Sequence, residues 1–188
     1  MPESTRRPVR LDWPSREDRE RWEICSFIEH YRVLPERRSF EIERRQERPD
    51  WILRDTATGE LVGVELTSTY IDDRSVPDVH RRPGTLWLPY HSEEVVAYGT
   101  RIADTVRAKV RLARSGYEAG LPLLLSIYTN EYLTIHMDEA TWASLVREHE
   151  STFDDIAPFA EVVIWPLRNV SVLQIRPGIS GSGASSCA

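Results

Sequence analysis

The chain has 188 residues, 40% hydrophobic and 29% charged, with a net charge of −6. That length builds one domain with a sizeable core, and the composition is that of a globular protein. The negative balance argues against a general nucleic-acid coat, no apolar run approaches the roughly 20 residues of a membrane span, and two cysteines exclude a cysteine-built metal site.

The first 23 residues are too charged for a secretory signal. Cys187 falls in a Gly/Ser-rich tail, so no structural disulfide with Cys25 is expected, and a reducing cytoplasm is the expected location. Charge is uneven along the chain. Residues 1–48 hold 12 basic and 11 acidic groups, and residues 92–117 hold 5 and 3. Residues 49–91 and 118–188 carry the acidic excess. Lys109 is the only lysine among 24 basic residues. Arginine suits phosphate recognition, although a genomic bias toward arginine produces the same composition.

Residues 1–14 read as an irregular arm, 15–176 as one α/β domain and 177–188 as a disordered tail. Ser15 with Asp18 resembles a capping pair and predicts a helix to about Tyr31. Trp22, Cys25, Ile28 and Tyr31 recur every three residues on its expected apolar face, with Ile24 and Phe27 beside them. Leu34-Pro35 ends it. Ser39–Glu43 alternates apolar and polar residues and predicts a strand with one wet face.

Residues 49–67 predict a hairpin. Trp51-Ile52-Leu53 and Leu61–Val64 are β-rich runs, and Thr56–Glu60 is a turn with Gly59 free to take positive φ. Residues 69–91 read as a long linker holding Asp72, Asp73, Asp78, His80 and His91. Ser92 predicts the start of a long helix with a stripe of Val95, Gly99, Ile102, Val106 and Val110, ending near Ser115-Gly116. Leu121–Tyr128 predicts a strand buried on both faces. A helix from Asp138 to about Glu150 and a hairpin of strands 161–165 and 170–175 complete the order. The fold class is α/β, a sandwich on a central mixed sheet flanked by helices.

Asp50 and Glu65 lie 15 positions apart across the hairpin, so antiparallel pairing brings two carboxylates together. A carboxylate on a buried strand must be paired, metal-bound or at the strand end. Pro49-Asp50 followed by Glu65-x-Thr67 resembles the motif of the PD-(D/E)XK nuclease superfamily. The predicted order also resembles its αβββαβ core over roughly residues 15–128. The resemblance implies a restriction-endonuclease-like fold and Mg²⁺-dependent phosphodiester hydrolysis, with Mn²⁺ as substitute and nucleic acid, DNA first, as substrate.

The implied metal ligands are Asp50, Glu65 and the Leu66 carbonyl, completed by an acid on the first helix. Glu29 is the first choice for that acid and Glu23 the second, with Glu43 on the neighbouring strand as a substitute. Thr67 stands where the family carries lysine. It can hydrogen-bond a water or phosphate but supplies no positive charge. Lys109, on the following helix, is the expected replacement. Arg101 and Arg107 suit phosphate contacts or an ordinary helix surface. The histidines show no metal-ligand spacing, and there is no phosphate-binding glycine loop, serine nucleophile elbow or zinc signature. The alternative reading is a nuclease-like fold that no longer cuts and serves as a protein- or nucleic-acid-binding regulatory module. A homodimer is compatible with either.

Overall fold

A computed structural model describes residues 15–32, 34, 38–69, 92–117, 120–129, 137–165 and 173–176. The N-terminal arm, the linker with its acids and His80 and His91, the 166–169 connection, the first three residues of the strand expected at 170–175 and the tail lie outside the described residues.

The elements are α1 (Arg16–Tyr31), β1 (Phe40–Arg45), β2 (Trp51–Asp55), β3 (Leu61–Thr69), α2 (Ser92–Gly116), β4 (Leu123–Thr129), α3 (Glu139–Glu148), α4 (Glu150–Asp154), β5 (Phe159–Trp165) and β6 (Leu173–Ile175). Six strands form one mixed sheet in sequence order. β1, β2 and β3 are an antiparallel meander. β3, β4 and β5 run parallel, and β6 returns antiparallel on β5.

Local chemistry accounts for the boundaries. Ser15 Oγ accepts from the Asp18 N–H at 3.1 Å and so caps α1. Asp138 caps α3 in the same way through Thr141 N–H at 2.8 Å. In the β2–β3 turn, Asp55 Oδ1 accepts from the Ala57 and Thr58 amides, and Gly59 takes φ 76°.

Each face of the sheet has its own core. Ile24, Phe27, Ile28 and Tyr31 of α1 cover Leu53, Val62, Val64, Leu124, Val163 and Trp165. Ile102, Val106 and Val110 of α2, with Trp142, Leu145 and Phe153, cover Leu123, Leu125, Ile127, Val162 and Ile164. β4 is buried at every position, as a central parallel strand between two helical layers must be.

Three expectations change. Trp22 is 49% exposed and Cys25 is also exposed, because a period of three slips about 60° per step from the helical repeat. β1 is not simply amphipathic. Only Phe40 is buried, and Ile42 is 38% exposed beside a register shift between Ile42 and Arg44. The helix expected from Asp138 to Glu150 breaks at His149, and α4 continues to Asp154.

Candidate active site

The β2–β3 ladder pairs Trp51 with Val64 and Ile52 with Gly63, so its next step sets Asp50 against Glu65. Gly63 permits this approach: a Cβ there would lie 2.6 Å from Pro49 Cγ and 2.7 Å from Leu123 Cδ2. Asp50 Oδ2 accepts from the Leu66 N–H at 2.8 Å, which fixes the carboxylate against β3.

Glu65 is 4% exposed. Lys109 reaches it from α2, three residues beyond the buried Val106. Its Nζ donates to Glu65 Oε1 at 2.7 Å and, more weakly, to the Leu66 carbonyl at 3.4 Å. Glu65 Oε2 is buried and has no hydrogen-bond partner among the described residues. The nearby Tyr117 hydroxyl is also buried without a well-formed hydrogen bond, and Glu65 is the group it interacts with. Burial first, then hydrogen bonding to Glu65 and the Glu65 charge, push the Tyr117 pKa up, so the phenol stays protonated. For Asp50, burial first and the Glu65 charge second push the pKa up to about 6, against the opposing Leu66 N–H and Lys109 ammonium.

These groups line an open cleft of about 360 Å³ between α1, the β3 end and α2. Arg16, Arg19, Glu20 and Glu23 enter from α1, spaced along one helical face. Glu23 accepts from Ser68 Oγ at 3.0 Å, and burial raises its pKa against that hydrogen bond. Burial also opposes ionisation of Glu20, but Arg16 and Arg45 outweigh it and hold its pKa low. Thr67, Glu47 and Arg48 complete the polar wall.

Asp50, Glu65, Leu66, Thr67, Lys109 and the second-choice Glu23 therefore share one cleft. Glu29 does not. It is exposed, about 120° around α1 and about 9 Å further along it than Glu23. Glu43 also stays outside, exposed on β1 and paired with Arg54 at 3.0 Å. Arg107 is engaged with Thr152 and Asp104, and neither it nor Arg101 lines the cleft. Sequence reading missed Glu20, Ser68, Arg48 and Tyr117. Glu20 had a signal, one α-turn before Glu23. Tyr117 had none, since it follows the helix stop.

Among the described residues, no group of three or more His, Cys, Asp or Glu is arranged to hold a metal. The donors present are two carboxylates and a main-chain carbonyl. That set fits Mg²⁺, a hard cation that takes oxygen ligands and retains several waters. Two observations support the fit. Glu65 Oε2 is a buried acceptor without a well-formed hydrogen bond, and the Lys109 ammonium already rests as a cation against Glu65 and the Leu66 carbonyl.

No protein-family profile, no curated protein and no solved structure matches the chain. The class these observations define is an α/β protein with a six-stranded mixed sheet and helices on both faces. No described helix is long and apolar enough to cross a membrane.

Proposed function

We propose that the chain is a Mg²⁺-dependent nuclease with a restriction-endonuclease-like fold, acting on DNA. The observation that carries this reading is Lys109 Nζ, 2.7 Å from Glu65 Oε1 inside the Asp50–Glu65 cleft. It puts an ammonium beside the carboxylate pair although β3 has Thr67 where the motif has lysine. The antiparallel β1–β2–β3 meander followed by the parallel β3–α2–β4 unit adds support, because it is the order the resemblance implies.

Asp50, Glu65 and the Leu66 carbonyl would hold the ion, with Glu23 nearby on α1. Magnesium, when bound, supplies Lewis-acid stabilisation of phosphoryl and leaving oxygens. Lys109 donates N–H toward negative charge that develops on the phosphoryl group, or orients the attacking water. The Leu66 N–H keeps Asp50 in place throughout. Arg19 and Arg48, both at the cleft wall, are suited to hold flanking phosphates.

Calorimetry with Mg²⁺ and Mn²⁺ on wild type and Glu65→Ala tests the site, paired with a plasmid-cleavage assay. Loss of both metal binding and cleavage in the variant is the expected result. Cleavage unchanged by Glu65→Ala would sink the proposal.

One observation favours a second reading, a non-cutting regulatory module. The described residues hold no group of three or more acids or histidines placed for a metal, and Glu65 is already paired with a lysine. Wild type that binds no metal even with oligonucleotide present, yet captures a protein or nucleic acid, would decide for it.

A further inference from the structure

We propose that Trp22 is a stacking platform for an unpaired nucleobase at the edge of the cleft, so that the substrate includes a single-stranded stretch. The proposal rests on the nuclease reading for the role of the cleft, but the stacking is separately measurable.

Trp22 is 49% exposed, whereas Ile24, Phe27, Ile28 and Tyr31 of the same helix are all buried. The ring is nevertheless held in place. Its centroid lies 5.5 Å from Tyr128, edge to face at 83°, and 6.4 Å from Trp165. Both supports are almost fully buried. Trp165 is anchored in turn by its Nε1–H, which donates to Ser126 Oγ at 2.7 Å, and by the His30 ring at 5.0 Å. An aromatic ring fixed at one side and open at another loses little freedom when a base stacks on it. The other exposed large apolar side chains, Ile42, Val96 and Leu112, are aliphatic and offer no such surface.

Trp22 does not itself line the cleft but stands on α1 between two residues that do. It precedes Glu23 and stands three residues from Arg19, both cleft-lining. Its support Tyr128 pairs in register with Ser68, which lines the cleft and donates to Glu23. Arg19 is exposed, and its guanidinium makes no hydrogen bond among the described residues. A flat apolar ring within one helical turn of an exposed guanidinium complements a base and its phosphate. Inside a duplex both faces of each base are already stacked, so away from the duplex ends only an unpaired base can use the ring.

The test is fluorescence anisotropy of labelled oligodeoxythymidylate and of a blunt duplex, with Ca²⁺ in place of Mg²⁺ to prevent cleavage. Trp22→Leu keeps an apolar cover on Tyr128 but removes the aromatic face. It should weaken single-strand binding about tenfold and leave duplex binding nearly unchanged, while Trp22→Phe retains most of the affinity. As a measurement independent of the leucine variant's stability, oligodeoxythymidylate should quench wild-type tryptophan emission more than that of Trp22→Phe. Equal single-strand affinity in wild type and Trp22→Leu, with equal quenching, would overturn the platform. So would wild type that binds neither probe, or a dimer that Trp22→Leu dissociates, since the ring would then be an interface between copies. Glu65→Ala separates the two proposals: it should keep Trp22-dependent binding while losing metal. Stacking without metal binding would leave the platform standing and the nuclease reading fallen, and metal-dependent cleavage without stacking would do the reverse.

Discussion

Glu65 and Glu161 are two glutamates on strands of the same sheet, 4% and 5% exposed. Their surroundings differ. Glu161 is saturated: Tyr31 and Gln174 each donate to Oε2 at 2.7 Å, and Arg176 donates to Oε1 at 2.9 and 3.2 Å. It ties α1 to β5 and to the chain after β6. Glu65 receives one ammonium on Oε1, has no well-formed hydrogen bond on Oε2 among the described residues and stands beside a second carboxylate. Burial alone therefore does not mark a reactive acid. Unmet acceptor capacity next to a like charge does, because that arrangement costs stability unless a ligand relieves it.

The largest expected effect concerns the saturated acid. Glu161→Ala strands Arg176, Tyr31 and Gln174, and should lose about 3 kcal/mol or more in metal-free urea denaturation at neutral pH. Glu65→Ala in the same experiment should change stability by less than about 1 kcal/mol, because it also removes the repulsion on Asp50. Equal losses from the two would break the comparison.

Next in size, Lys109→Gln should lower cleavage about 100- to 1000-fold while Mg²⁺ affinity by calorimetry is retained. Loss of metal binding instead would make Lys109 a support for Glu65 rather than a participant in the reaction.

The pH dependence should be smaller. Asp50 has a folded pKa raised from 3.8 to about 6. Its contribution to metal-free stability is therefore full below the lower value and lost as pH rises through the upper one. Mg²⁺ requires the ionised form, so the thermal shift it produces should grow across the same interval. Asp50→Asn should remove this part of both trends, measured as melting temperature against pH. A wild-type profile identical to that of the variant would contradict the assignment.

The smallest effect is expected at Thr67. It lines the cleft, but its hydroxyl makes no hydrogen bond among the described residues. Thr67→Ala should change stability by about 0.5 kcal/mol or less and cleavage only a few-fold. A large rate loss would give the hydroxyl a direct role with water or phosphate.

Much of the architecture was legible because it is written locally. The Thr56–Glu60 turn, the caps at Ser15 and Asp138, the Val95–Val110 stripe and the apolar β4 each depend on residues within one or two turns of one another. The nearness of Asp50 to Glu65 follows from the tight turn, which leaves little choice of register for the strands beside them. Trp22 and Cys25 were misplaced because a three-residue spacing looks helical over one turn and drifts over three.

Which acids converge was not written locally. Glu23 and Glu29 have similar sequence surroundings, and only the rotation of α1, set by Ile24, Phe27, Ile28 and Tyr31 against the sheet, sends one into the cleft and leaves the other in solvent. Glu65 and Lys109 are 44 residues apart, and the packing of α2 on the sheet brings them together. Periodicity and turn chemistry select elements because they act between neighbours. Packing alone sets the depth and rotation of each helix, and a catalytic constellation depends on both.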